Sequence, residues 1–213
     1  MNYGNYQESV DLVWSILLHH NITTLPIKIS AIVKREGIIL SSYSKANDFI
    51  KMLGFLDSTV NNDGFSVRIG KNYYIFYNDQ CSPQRARFTI AHELGHILRG
   101  DVGTRPTCRN REPTDQDNDM ETQANIISSR LLAPACVLWA LDIHSAYDIA
   151  TLCDVSLESA KWRSKRMNLL YDREKEFIAT RGKSCFLLSP KERAVYNQFL
   201  PFINEVKDRY RRC

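Results

Sequence analysis

The sequence contains no apolar run close to the roughly 18 residues that a membrane-spanning helix needs, and it contains no low-complexity tract or internal repeat. Its first residues lack the basic start of a signal peptide, and Glu8 and Asp11 precede the short apolar run LVWSILL. We therefore expect residues 5–20 to form a helix of a soluble protein that has no membrane partner.

Closely spaced cysteines are also missing, because the six cysteines form no C-x-x-C pair and none lies at metal-ligand spacing from a histidine. Dispersed thiols in a chain without a targeting signal are typical of a reducing compartment. We therefore expect a cytoplasmic protein. The cysteines are Cys81, Cys108, Cys136, Cys153, Cys185 and Cys213.

The composition, with 44% hydrophobic and 24% charged residues in 213 positions, is that of a globular protein with one main core and a smaller helical part. Local patterns predict a predominantly helical α+β fold with one β-hairpin. Helices are predicted over 5–20, 27–36, 44–55, 83–99 and 120–134, strands over 64–69 and 72–78, and further helices to the end, interrupted at Pro201.

Two of only five histidines, His92 and His96, lie in the segment HELGH of the predicted helix 83–99. Residues four apart on an α-helix differ by about 40° of rotation and about 6 Å of rise, so both imidazoles reach the same side. The spacing predicts two ligands of one zinc ion, with Glu93 beside them as a catalytic base. The alternative is that two packing histidines match the pattern by chance. Gly95 in the helix interior indicates a close neighbouring backbone, for which strand 72–78 is our candidate.

A catalytic zinc site needs a third protein ligand, and an acidic residue downstream is the best source. Glu121 is our choice, because Asn125 lies one turn further along the same helix and could hydrogen-bond a ligating imidazole. The alternative is an ordinary solvated helix face. The other acidic candidates are Asp101, Glu112, Asp115, Asp117 and Asp119.

These segments carry a family resemblance. The stretch RARFTIAHELGH, followed by ETQAN at 121–125 and LLAP at 131–134, resembles the ImmA/IrrE family of zinc metallo-endopeptidases. The resemblance implies a zincin-like fold, which we expect over residues 1–140, followed by a helical subdomain that resembles a helix-turn-helix over 141–184; the predicted helical tail over 185–213 has no counterpart in the family. It also implies that His92, His96 and Glu121 bind Zn²⁺ and that Glu93 is the base.

The family commonly cleaves DNA-binding repressors in mobile elements and stress responses. The resemblance therefore implies an anti-repressor whose protein substrate is a transcriptional repressor. A donor that stabilises the oxyanion is also needed, and residues 141–184 offer three candidates that the sequence does not distinguish. These candidates are His144, Tyr147 and Tyr171.

A different function is indicated by residues 148–167, which resemble a helix-turn-helix motif. Residues 155–213 carry 14 basic and 7 acidic side chains, whereas residues 1–154 carry 14 and 17. The excess of basic residues predicts one of two roles for this segment. One is contact with DNA, which we do not favour because Asp154 occupies the turn position usual for glycine. The other is an exosite for the substrate. A pseudo-peptidase that binds a partner is a further alternative. The basic residues are Lys161, Arg163, Lys165 and Arg166.

Overall fold

The computed structural model describes residues 3–59, 62–105, 115–182 and 189–211. These residues form nine α-helices, one short 3-10 helix (Leu56–Thr59) and three strands, which confirms the predominantly helical α+β class. No helix in the described ranges is long and apolar enough to cross a membrane. The elements are α1 (Tyr3–His19), α2 (Ile29–Arg35), β1 (Ile39–Ser42), α3 (Tyr43–Met52), β2 (Gly64–Ile69), β3 (Asn72–Tyr77), α4 (Pro83–Arg99), α5 (Asp115–Leu132), α6 (Ala135–Ala140), α7 (Ala146–Cys153), α8 (Leu157–Arg181) and α9 (Pro190–Arg211).

The described residues cluster into two compact units. The first comprises residues Met1–Val10 and Lys28–Ser128, and the second comprises Asp11–Ile27 and Ser129–Cys213. The first unit contains the sheet, α4 and most of α5, and the second contains the C-terminal helices. The division predicted from the sequence, with boundaries at 140 and 184, stays a prediction.

The predicted hairpin is confirmed, and the structure adds a third strand to it. β2 pairs antiparallel with β3, and β1 pairs parallel with the other side of β3, so the strand order is β1-β3-β2. β1 was not predicted, because its parallel partner lies far along the chain and a four-residue segment has no periodicity of its own.

The two faces of the sheet pack on different helices of the first unit. Phe65, Val67 and Phe76 are fully or almost fully buried with Ala46 and Ile50 of α3. Alternate residues of β2 point the other way, towards α4.

At Gly64 the sheet comes very close to α4. A Cβ atom at this position would lie 2.5 Å from Thr89 Cγ2 and 2.8 Å from the Phe76 carbonyl oxygen. Only glycine therefore fits here without a shift of the surrounding atoms.

Helix α4 begins and ends where its sequence predicts. The Ser82 hydroxyl accepts a hydrogen bond from the Arg85 N–H, and Pro83 takes the first helical position. Gly100 ends the helix in the left-handed conformation, with φ of 81°. These two ends fix which residues of α4 face the sheet and which face α5.

The close neighbour predicted at Gly95 exists, but it is α5 and not strand 72–78. A Cβ atom on Gly95 would lie 3.4 Å from Ile127 Cγ2 and 3.5 Å from Ala124 Cα. The prediction was wrong because a glycine indicates a close approach without identifying the approaching element. The packing of α5 on α4 at this point also sets the position of Glu121, three residues before Ala124.

The predicted break at Pro201 is also wrong, because α9 runs through this residue from Pro190 to Arg211. Proline removes one backbone hydrogen bond from a helix interior. The buried side chains on both sides of Pro201 lie on one continuous stripe, so packing in the second unit outweighs that loss. They are Val195, Phe199, Ile203 and Val206.

Helices α7 and α8 are joined by a three-residue turn at the segment for which the sequence predicts a helix-turn-helix motif, and the motif itself stays a prediction. Asp154, where glycine was expected, adopts the left-handed conformation with φ of 50° and ψ of 55°, which aspartate tolerates better than most residues do. Ser156 then caps α8 by accepting from the Ser159 N–H. The tight reversal therefore forms without glycine.

Candidate metal centre

Three side chains of the first unit converge on a single point. His92 and His96 project from adjacent turns of α4, and their Nε2 atoms are 3.1 Å apart. Glu121 of α5 reaches both rings, with 3.3 Å from its Oε2 to His92 Nε2 and 3.3 Å from its Oε1 to His96 Nε2. The convergence predicted from HELGH and ETQAN is therefore present, and the three donors could hold one metal ion.

The opposite nitrogen of each imidazole is held by an acceptor. His92 Nδ1 donates to Asn125 Oδ1 at 3.1 Å, and His96 Nδ1 donates to Asp101 Oδ2 at 3.2 Å. These bonds place the Nδ1 protons outside the cluster and orient each Nε2 lone pair towards Glu121. Acceptors that bind the outer nitrogen of ligating histidines in this way are typical of metal sites.

The donor set fits a tetrahedral metal ion in both spacing and charge. Ligand atoms about 2.0–2.1 Å from a tetrahedral zinc ion lie roughly 3.3–3.4 Å from one another, which is close to the observed separations. Two imidazole lone pairs and a carboxylate facing one another also need a cation between them. Without a metal, that cation is a proton.

The pKa values agree with this requirement. Burial opposes a charge on His96, but hydrogen bonds with Asp101 and Glu121 and the nearby Glu93 raise its pKa to about 9. The two histidines lower the pKa of Glu121 well below its ordinary value, mainly through hydrogen bonds. In the metal-free protein at pH 7, His96 is therefore protonated and Glu121 is ionised.

Metal binding is consequently expected to strengthen as the pH rises. Because an imidazole must lose its proton to bind a metal, affinity for Zn²⁺ should increase about tenfold per pH unit up to the pKa of His96, which is about 9, and then level off. Competition with a chromophoric chelator between pH 6.5 and 9.5 measures this slope. An affinity that stays constant over this range would contradict the proton on His96.

Glu93 lies beside the cluster and does not join it. Its side chain is 5% exposed, and its Oε2 accepts a hydrogen bond of 2.6 Å from the hydroxyl of Ser66 on β2. A buried carboxylate beside a possible metal site is suited to accept and return a proton. Glu93 was predicted from the sequence, whereas Ser66 was not.

Neither of the other acidic candidates whose side chains the structure describes, Asp101 and Asp119, joins the cluster. Asp101 holds the outer nitrogen of His96 and also accepts from Arg99 Nε at 3.1 Å. Asp115, Asp117 and Asp119 lie in the first turns of α5 and not before it, because this helix begins five residues earlier than predicted. Glu112 lies outside the described residues.

The three candidates for an oxyanion donor belong to the second unit. The Tyr171 hydroxyl donates hydrogen bonds to the carbonyl oxygens of Leu138 and Ile143. Its ring stacks on His144 with a centroid distance of 3.9 Å. Tyr147 is 74% exposed. Their proposed role in catalysis stays a prediction.

One of the four basic residues predicted to form an exosite does not belong to that surface. Arg163 is 3% exposed, and its Nε donates to the Ala133 carbonyl at 2.8 Å. It lies on the buried stripe of α8 with Ala160, Met167 and Tyr171, so this side chain packs inside the second unit and is not part of an exposed basic surface. Lys161, Lys165 and Arg166 are exposed.

Comparison with known proteins agrees with this geometry. Residues 53–165, more than half of the chain, match the family model described as Peptidase_M78, IrrE N-terminal-like domain. The matched range contains every residue of the cluster and its hydrogen-bond partners. No protein of curated function matches the chain significantly.

Proposed function

This chain belongs to the ImmA/IrrE peptidase family, and from that premise we propose that it is a zinc-dependent endopeptidase that cleaves a DNA-binding repressor. The family supports peptide-bond hydrolysis in general. The choice of zinc, of internal cleavage and of a repressor as the substrate is our proposal.

One observation carries the proposal: His92, His96 and Glu121 converge within 3.3 Å while Glu93 stands beside them. A zinc ion held by these three ligands would stay open to water or substrate, as in catalytic zinc sites, whereas structural sites use four protein ligands. The neighbouring carboxylate also argues against a pseudo-peptidase, because a purely structural ion would need no base.

The residues have distinct tasks in this proposal. His92, His96 and Glu121 hold the ion, while Asn125 and Asp101 keep the two imidazoles oriented. A bound zinc ion lowers the pKa of water and polarises the scissile carbonyl. Glu93 takes the proton from the attacking water and passes it to the leaving amine, so the carboxylate is regenerated in each cycle.

The exposed basic residues of α8 are proposed as an exosite for the protein substrate. Lys165 Nζ lies 5.9 Å from the ring centroid of Trp162, which is 69% exposed, and Leu169 nearby is 56% exposed. Large apolar side chains among lysines suit a protein surface better than the phosphates of duplex DNA. Binding of DNA by this pair of helices remains the alternative function.

The test is incubation of the full zinc-loaded chain with any DNA-binding repressor that is encoded next to its gene. We expect the repressor to be cut, and mass spectrometry of the fragments identifies the cleavage site. Removal of the metal with 1,10-phenanthroline should stop the reaction, and added zinc should restore it.

Two results would contradict the proposal. An intact repressor in the presence of stoichiometrically zinc-loaded protein would reject it as the substrate. Tight binding to an operator duplex whose affinity falls steeply with salt, without any cleavage, would favour the DNA-binding alternative.

A further inference from the structure

A buried hydroxyl contacts the carboxylate that acts as the base in the proposed function. The Ser66 side chain is fully buried on β2, and its Oγ donates to Glu93 Oε2 at 2.6 Å. We propose that Ser66 is a positioning residue that holds the Glu93 carboxylate in its working orientation. This inference rests on the proposed function, because it concerns the same base.

The fold brings these two residues together through matched spacings of a strand and a helix. Gly64 packs on Thr89, and two residues further along β2 Ser66 reaches Glu93, which lies four residues after Thr89. Two residues of a strand span about 6.6 Å, and one helical step of four residues rises about 6 Å. The close approach at Gly64 therefore sets the distance at which Ser66 meets Glu93.

The Ser66 hydroxyl can fix the rotation of the Glu93 carboxylate, which packing alone cannot do. The terminal bond of a glutamate side chain rotates broadly, so a carboxylate needs a directional contact to hold one orientation. A hydroxyl that donates to an ionised carboxylate makes a short, charge-assisted bond. It holds Oε2, and because a hydroxyl oxygen is far less basic than a carboxylate, the transferred proton goes to Glu93 and not to Ser66.

A double-mutant cycle on the full zinc-loaded chain tests this role. The probe is acetohydroxamic acid, whose O–H proton passes to the Glu93 carboxylate as the hydroxamate anion forms at the site. We expect Ser66→Ala to weaken its binding about tenfold, as measured by isothermal titration. In a Glu93→Ala background the same change should alter binding by less than about twofold, because there is no carboxylate to position.

The control is Ser42→Ala, which removes another buried serine of the same sheet. The Ser42 hydroxyl caps α3 through the Lys45 N–H, so its loss costs stability but should leave hydroxamate affinity unchanged. Zinc affinity of all variants is measured alongside, and we expect Ser66→Ala to match the parent protein.

Three results would overturn the role of Ser66. These are hydroxamate affinity equal to that of the parent in Ser66→Ala, an equal loss in the Glu93→Ala background, or a loss explained by weaker zinc binding. Failure of the proposed function is seen separately in the parent protein. If the parent binds zinc and hydroxamate but cleaves no repressor, the substrate is rejected, whereas a tenfold effect that depends on Glu93 still supports Ser66.

Discussion

Replacing Glu93 with glutamine is expected to abolish repressor cleavage while the protein retains its metal. Glutamine has nearly the shape of glutamate but cannot take a proton from water at neutral pH. A positioned general base contributes about 10²–10⁴-fold to the rate, so kcat should fall by about that factor. The three proposed metal ligands, His92, His96 and Glu121, are unchanged in this variant, and Glu93 is not one of the group that could hold the ion.

The measurement combines repressor cleavage followed over time with metal analysis of the purified variant. The fold should be intact, since the side chain keeps its volume and can still accept from the Ser66 hydroxyl. Cleavage at the parent rate would show that Glu93 is not the base. Loss of the metal together with activity would show instead that this carboxylate supports the site and not the proton transfer.

The second large effect is expected at Glu121, whose change to glutamine should remove most of the zinc affinity. An amide oxygen is a much weaker zinc ligand than a carboxylate, and only two imidazoles would remain. Mutation of residues that merely orient ligands typically costs 10–100-fold in affinity. Loss of a ligand should therefore cost more than about 100-fold, and activity at limiting zinc should be lost with it.

Asp119→Asn is the matched control for this change. Asp119 is an acidic residue of α5 two positions earlier, which turns it by about 200° away from Glu121. Competition with a chelator should show that this variant binds zinc like the parent protein. If Glu121→Gln also binds zinc like the parent, Glu121 is not a ligand, and the third donor must be sought elsewhere.

Local features of the sequence were sufficient to predict several elements. The Ser82 cap, Pro83 and Gly100 define α4, and Gly70 marks the turn between β2 and β3. Each of these signals acts over a few residues, where backbone geometry and hydrogen bonding are decided by neighbours in the chain. The spacing of His92 and His96 is a signal of the same local kind.

Contacts between distant segments were predicted less well, for a physical reason. The parallel pairing of β1 with β3 and the packing of Gly95 on α5 depend on tertiary contacts that local periodicity does not contain. Arg163 is a different case, because its charge indicates a solvent-exposed residue whereas its position on the buried stripe of α8 indicates a buried one. That stripe of Ala160, Met167 and Tyr171 was readable at helical spacing and could have excluded it.

Ser66 could have been suspected from its neighbours. The segment GFSVRI alternates, and its apolar residues Phe65 and Val67 take the face that packs on α3. A small polar residue on the opposite face of a strand beside a helix is a candidate partner for a buried charge. What the sequence did not contain was the alignment of that strand with α4, which depends on the close approach at Gly64.

The end of α4 determines which segment would have to be transferred to build this centre into a designed protein. Gly100 turns the chain so that the Asp101 N–H donates to the His96 carbonyl at 3.0 Å, and the Asp101 carboxylate returns to the ring of His96. In an uninterrupted helix, residue 101 would instead lie about 7.5 Å further along the axis and about 140° around it. The segment to transfer is therefore the helix together with its C-terminal turn. The pentapeptide HELGH grafted inside a longer helix would lack the Asp101 carboxylate that orients its second imidazole.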